Sequence, residues 1–455
     1  MTAGANRNDP MRVLTLVHQF LPKNVAGTEV YTLELARELR ARGHSVHLLF
    51  SEVEPGKEQG AVTEGSFDGI PFHRIACQFR FREFSETYAN PAAEPVFDDL
   101  LRSFRPDVVH AQHLQTLSTS MPARARRSGV PFVMTLAEYA LVCPLWGQLI
   151  RRDSVRCGVP SPAECGACLA AAPFFSDLLA GRDAAAEVAR RRRAVADMIP
   201  HVSRFVAPSR FLLDRFAAFG FPSEKMIHLD YGFRTEGYER TRPPRKPGSP
   251  VRFGYVGSWV PYKGVHLLPE AFAPLESVPG WTLDLFGNPE SMPDYARPIL
   301  DAAARSGRIA FRGPFPPGDV SRVLASLDVL VVPSIWYENS PLTIHEAFLA
   351  GVPVLTSRLG GMRELVEDGK SGLLFEPGSA SDLRDAALRL VREEGLLENL
   401  RRGLPRVKTI AENAIEMEGV FEESIAAARA ARGGALRRFL SVFRPRSGRG
   451  GGSPS

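Results

Sequence analysis

The chain has 455 residues, too many for one ordinary hydrophobic core, so two domains plus extensions are expected. Apolar residues make up 44% and charged residues 24%, a balance that excludes a wholly disordered chain and suits a globular enzyme. The net charge is only +5, but seven arginines and no acidic residue fall within 429–455, which suits either an anionic surface or a solvated tail.

Residues 1–10 are polar, without the apolar stretch of a secretory signal, and are expected to be disordered. No run of about 18 apolar residues follows, so no transmembrane helix is expected and the chain is assigned to the cytoplasm. Residues 11–17 (MRVLTLV) predict a buried strand, 29–42 an amphipathic helix ended by Gly43, and 45–50 (SVHLLF) the next strand. This is the βαβ unit of an open parallel sheet. Strands are predicted again at 107–110, 130–136 and 205–207, with a long helix over 174–199 and another from Pro208-Ser209 to Gly220. Together they make a first domain over 11–232. Residues 233–250 are polar and proline-rich, a linker by composition.

The pattern restarts at 251–256, 281–286, 309–312, 329–332, 352–356 and 372–375, giving a second domain over 251–410. A helix over 411–432 and a basic tail over 433–455 close the chain. The predicted fold class is therefore α/β, two doubly wound Rossmann-like domains facing a central cleft at the carboxyl ends of the strands. A nicotinamide-type dehydrogenase is disfavoured, because neither domain start carries Gly-x-Gly-x-x-Gly. No nucleic-acid-binding module is visible, so no nucleic-acid partner is expected. In the tail, Leu436, Phe439, Leu440 and Phe443 share one helical side flanked by Arg437 and Arg438, a pattern suited to peripheral membrane contact.

Chemistry concentrates in the second domain. Glu338 and Glu346 stand eight positions apart, the first in a loop after a strand and the second on a helix that Ser340 is expected to cap and Pro341 to open. The helix start would offer backbone N–H groups to an anion or to sugar hydroxyls, and Glu346 would accept from a diol. Upstream, Gly257 and Ser258 end a strand, and Lys263 precedes the next helix, where its ammonium would meet an anionic ligand. In the first domain Gly27, Thr28 and Glu29 open the first helix. His110 and His113 end the strand at 107–110. Cys143, Cys157, Cys165 and Cys168 crowd one loop and would supply a structural thiolate zinc site, with ordinary reduced thiols as the alternative. Cys77 stands apart and is expected only to pack.

The run Glu338-Asn339-Ser340-Pro341-Leu342 through Glu346, with Ala-Gly-Val-Pro-Val after it, is similar to the E-x7-E motif of family 4 glycosyltransferases. Leu359 to Glu364 resembles the Gly-Gly-x-x-Glu turn of the same family, and Ala26-Gly27-Thr28-Glu29 its Gly-Gly-x-Glu loop with one glycine replaced. The resemblance implies a GT-B fold and retaining transfer from a nucleotide diphosphate sugar, without a catalytic metal or cofactor. It puts Glu338 on the donor sugar, Glu346 on the ribose and Lys263 on the diphosphate. It also places Gly27, Thr28, Gly257, Ser258, Asn339, Ser340, Pro341 and Leu342 around the donor.

Besides Ala26, the sequence departs from the pattern at two further positions. Ser258 stands where a second cation is usual, and Ala137 where a histidine usually reaches the donor sugar, leaving Glu138 and His113 as the candidate substitutes. The acceptor implied is a glycan or a lipid-linked sugar, in cell-surface polysaccharide synthesis. The rival expectation is a member that binds nucleotide sugar or glycan without turning it over.

Overall fold

The computed structural model describes residues 9–151, 153–241, 246 and 248–442, with the side chains of 434–442 excepted. The expectations for the first eight residues, for the amphipathic side chains beyond Gly433 and for the tail after Val442 lie outside the described residues. The first sheet contains β1 (Arg12–Val17), β2 (Ser45–Glu52), β3 (Val62–Phe67), β4 (Ile70–Ala76), β5 (Val108–Ala111), β6 (Phe132–Thr135), β7 (Arg204–Ala207) and β8 (Met226–His228). Their order across the sheet is β3-β4-β2-β1-β5-β6-β7-β8, and every pairing is parallel except β3 with β4. Strand β1 is buried from Val13 onward because β2 and β5 flank it and helices cover both sheet faces, which explains its unbroken apolar run.

The second sheet holds β9 (Val251–Val256), β10 (Trp281–Phe286), β11 (Ile309–Gly313), β12 (Val329–Val332), β13 (Val354–Ser357) and β14 (Gly372–Phe375), all parallel. Their order is β11-β10-β9-β12-β13-β14. In both sheets the chain reverses its direction of winding beside the first strand, between β1 and β5 and between β9 and β12. Open parallel sheets bind ligands at such points, outside the carboxyl ends of the strands. The fold is thus two Rossmann-like parallel sheets, as the sequence predicts.

Several elements differ from expectation. The β3–β4 hairpin was not predicted, because β3 (VTEGSF) is a mostly exposed edge strand with little apolar content. Its turn, Asp68-Gly69 with φ of 53° and 70°, is the two-residue left-handed pair that joins such strands. The helix expected over 174–199 is two helices, Pro173–Leu178 and Ala184–Met198; Gly181, at φ 71°, lies between them and Asp183 caps the second. The closing helix is longer than expected, Ile410–Val442. It lies along the Gly27–Ala41 helix, β5 and β6 of the first sheet. Among the described residues no helix is long and apolar enough to cross a membrane.

Candidate active site

At the switch point of the second sheet, the loop after β9 and the loop after β12 lie side by side. A 3-10 turn, Pro261–Lys263, ends at Gly264 with φ 72°. A Cβ at Gly264 would strike the Pro333 carbonyl, so glycine is needed for the lysine-bearing loop to lie against the end of β12. This contact delivers Lys263 Nζ to 2.7 Å from Glu338 Oε1, and Ser334 Oγ donates to the same oxygen at 2.6 Å. The ammonium also sits 5.4 Å from the centre of the Trp336 ring. Glu338 is buried, so its charge needs both of these partners.

The Gly360-Gly361 pair supports this loop from behind. Gly361 N–H donates to the Glu338 carbonyl at 2.9 Å, and a Cβ at Gly361 would overlap the Asn339 carbonyl. These glycines therefore allow a close approach to the Glu338 loop.

Helix Leu342–Leu349 follows, with Glu346 as its fifth residue. Pro341 occupies the cap position without a side-chain cap. Ser340 does not cap as expected; its hydroxyl lies 3.2 Å from Asp230 Oδ1 and 3.0 Å from His345 Nε2. Burial pushes the Glu346 carboxyl up to about 7, against the pull of a hydrogen bond from Tyr238. Tyr238 lies in the segment predicted as a mere linker, and a lone tyrosine among prolines and charges gave no signal of its role. Ser258 is exposed and brings no cation; its carbonyl accepts from Tyr255 Oη at 2.6 Å. Gly257 lies directly against that same phenol.

On the first sheet, the loops after β1, β5 and β6 converge. His18 and His113 stack with ring centroids 4.2 Å apart, and His18 Nε2 is 3.5 Å from the buried Glu29. Gln115 N–H donates to His113 Nδ1 at 3.0 Å, which fixes the proton of the neutral ring on Nε2. That Nε2 faces Glu138 Oε1 at 3.1 Å. The other Glu138 oxygen accepts from Ala140 N–H and lies over Gly147. Burial pushes the Glu138 carboxyl up to about 8, opposed by the Ala140 N–H and by Arg191. Burial, then the neighbouring His18, pushes His113 well down.

The structure thus joins His113 to Glu138, and both are spent holding the loop after β6; neither has a free basic atom aimed at Lys263. His110 is fully buried against Thr135, with Nε2 to Oγ1 at 2.9 Å, and its ring lies tilted 5.2 Å from that of Phe421, which makes it a core residue.

The two halves meet directly. Gly27 opens its helix so close to Leu342 that a Cβ there would lie 3.1 Å from Cδ1, and Thr28 follows as the second residue of that helix. Asn339 Nδ2 donates to the carbonyl of Ala137, the position where a histidine was expected. Glu364 accepts from Arg210 N–H at 2.8 Å and Phe211 N–H at 3.0 Å, capping a first-domain helix from the second domain. Around this junction Gln112 (both amide atoms), Tyr139 Oη, Trp336 Nε1 and Asn339 Oδ1 are buried without a hydrogen-bond partner among the described residues. Buried polar atoms are rarely left so, which fits a polar ligand between the two halves.

The cysteines do not form the expected site. Among the described residues none is in a disulfide; Cys165 and Cys168 lie on helix Pro162–Ala170, and with Cys143 and Cys157 they line a cavity of about 310 Å³. Among the described residues no three His, Cys, Asp or Glu side chains converge as metal ligands, so zinc on these four is not supported. Cys77 is buried, as expected.

The "Glycosyl transferase 4-like domain" family matches residues 26–232, and "Glycosyl transferases group 1" matches 250–393. A GDP-mannose-dependent alpha-mannosyltransferase of Mycobacterium tuberculosis is 29% identical over 391 residues, covering 84% of this chain and 89% of that protein. A D-inositol 3-phosphate glycosyltransferase of Nocardioides sp. is 26% identical, covering 84% and 81%. The crystal structure of Anabaena Alr3699/HepE in complex with UDP and glucose superposes with a TM-score of 0.60 at 18% identity, covering 94% of this chain and all of that one. Two parallel sheets wound about facing switch points, matched by both families in the same order, make this chain a member of the family 4, group 1 glycosyltransferases with the GT-B fold.

Proposed function

We propose that the chain is a retaining, metal-independent glycosyltransferase, moving a hexose from a nucleotide diphosphate sugar to a glycan or lipid-linked acceptor in cell-surface polysaccharide synthesis. The observation that carries this reading is the Lys263–Glu338 pair at 2.7 Å, set where the second sheet reverses its winding and facing the Gly27 helix start. Both partners of Glu338 bond to Oε1, which leaves Oε2 for a donor-sugar hydroxyl. Lys263 meets the diphosphate and stabilises the charge that grows there as the anomeric bond to phosphate breaks. Glu346, steadied by Tyr238, accepts from the ribose hydroxyls.

Ala137 offers no side-chain group, and Glu138 and His113 are engaged with each other. The acceptor proton then goes to the departing phosphate oxygen, while the acceptor oxygen bonds to the anomeric carbon on the face that the phosphate leaves. Closure of the two domains excludes water, which would otherwise take the acceptor's place.

The similarity to GDP-mannose-dependent relatives over 84% of this chain makes GDP-mannose the first donor to try. The test is nucleotide release from a panel of GDP-, UDP-, ADP- and dTDP-sugars, with Glu346→Ala as control and with chelator present. Release from one donor, abolished in the variant and indifferent to chelator, is expected. Tight donor binding without turnover under any acceptor would instead establish a binding protein, and Ala137 would be the position to restore.

A further inference from the structure

We propose that a second pocket, at the end of the first sheet opposite the cleft, is a binding site for phosphate groups. The pocket has a volume of about 430 Å³ and opens where β6 and β7 begin, under the Ile410–Val442 helix. Arg126, Arg204, Lys225 and Arg432 line it, with Glu423 as the acidic member. Among the described residues none of the four cations forms an ion pair with a carboxylate; each is held instead by backbone carbonyls. Arg126 donates to Pro200 O at 3.2 Å, Arg204 to Ser203 O at 3.2 Å and Arg432 to Ser128 O at 2.5 Å.

Each arginine thereby spends one donor on anchoring and keeps the rest of its planar fork for a ligand, the arrangement that suits phosphate oxygens. Lys225 is different. Its ammonium is shared among the carbonyls of Ile199, Pro200 and Val202 at 2.9 to 3.1 Å, so it contributes field more than donors.

The cations strain one another. His201, also in the wall, lies below its ordinary value, through burial and then through Arg126, Arg127 and Lys225, while Nδ1 is buried without a partner. Lys225 is lowered by burial and then by Arg126. A phosphate in the pocket relieves this repulsion, whereas folding alone gains nothing from gathering the charges. The donor cleft does not use these groups, since the pocket lies at the opposite ends of the same strands. The closing helix continues the charge, because Arg429 and Arg432 begin the run of seven arginines that carries no acid. Two sources present the required chemistry, the headgroup of an anionic phospholipid and a free phosphorylated solute.

The test uses the full chain in a Lys263→Ala background, so that the cleft does not compete, and tripolyphosphate as the probe. Binding is read by calorimetry and by an upward shift in the titration of His201. The pocket variant is Arg126→Gln/Arg204→Gln; the control, Arg297→Gln/Arg322→Gln, removes equal charge from exposed positions of the second domain. We expect roughly tenfold or greater loss of tripolyphosphate affinity in the pocket variant and none in the control. With Lys263 intact, donor turnover should be untouched by the pocket change. Displacement of tripolyphosphate by phosphatidylglycerol vesicles, and not by phosphatidylcholine vesicles, assigns the site to a headgroup; no displacement assigns it to a soluble phosphate. Undiminished binding by the pocket variant, or no binding by the natural pocket, overturns the proposal. If the double variant melts early, Arg432→Gln replaces it with the same expectations.

Discussion

Replacing Glu418 by alanine should loosen the C-terminal helix from the first domain by an amount the structure allows to be worked out. Glu418 is buried, and its carboxylate receives Arg42 Nε at 2.5 Å, Arg42 Nη2 at 2.8 Å and His44 Nε2 at 2.8 Å. Met11 N–H donates to His44 Nδ1 at 3.0 Å, so the neutral His44 ring carries its proton on Nε2 and has only Glu418 to give it to. Truncation leaves that buried donor unpaired, at about 1–3 kcal/mol. The Arg42 side chain is 33% exposed, so losing its half of the pair adds only about 1 kcal/mol once solvent screening is counted.

The sum, about 3 kcal/mol, corresponds to a roughly hundredfold faster local opening. Hydrogen exchange across residues 413–424, read by mass spectrometry, should show that acceleration in Glu418→Ala, with less in Glu418→Gln, which keeps one acceptor. The carboxyl of Glu418 lies below its ordinary value because Arg42 and His44 together outweigh the upward push of burial. The stabilisation is therefore present above the ordinary carboxylate value and lost as pH falls below it. Exchange in this helix that is unchanged by truncation would refute the reasoning, because it would mean that packing alone holds the helix.

Other consequences are as direct. Burial raises Glu346 to about 7, so donor affinity should rise with pH through that value as the carboxylate forms; Glu346→Gln should flatten the profile, and Tyr238→Phe should move its midpoint upward. The same raised value means that Glu346 favours the folded state at low pH and loses that contribution as pH rises through about 7. Glu364→Ala leaves Arg210 N–H and Phe211 N–H uncapped and should raise KM for donor more than it changes kcat, with scattering showing a more open chain. Burial, then Cys168 and Cys165, raises Cys157 to about 11 from an ordinary 9.0, so its alkylation at neutral pH should run roughly a hundredfold slower than that of a free thiol.

The sequence made the sheets and the second-domain site legible because their signals are local. β1, β9 and β12 are short apolar runs, and the Lys263-Gly264 step and the Glu338 to Glu346 spacing each sit at the end of one strand. What escaped depends on contacts between distant segments. Tyr238 became a partner of Glu346 only once the segment after the first sheet crossed to the Leu342–Leu349 helix. The tie between Glu138 and His113 arises because β5 and β6 are neighbours, and it turns two candidate bases into one structural pair. Ser340 looked like a helix cap, and the nearby Asp230 and His345 drew its hydroxyl away instead. The β3–β4 turn has a signal in Asp68-Gly69, but the strand before it is polar and mostly exposed and carries no apolar alternation of its own.

The most direct test of the central claim is the initial rate of nucleotide release from the natural donor by Lys263→Ala compared with the unsubstituted chain. If Lys263 stabilises the departing diphosphate beside Glu338, the rate should fall by about 10²–10³ while the protein stays folded. A rate within a few fold of the unsubstituted chain would contradict the account and move the chemistry away from the Lys263–Glu338 pair.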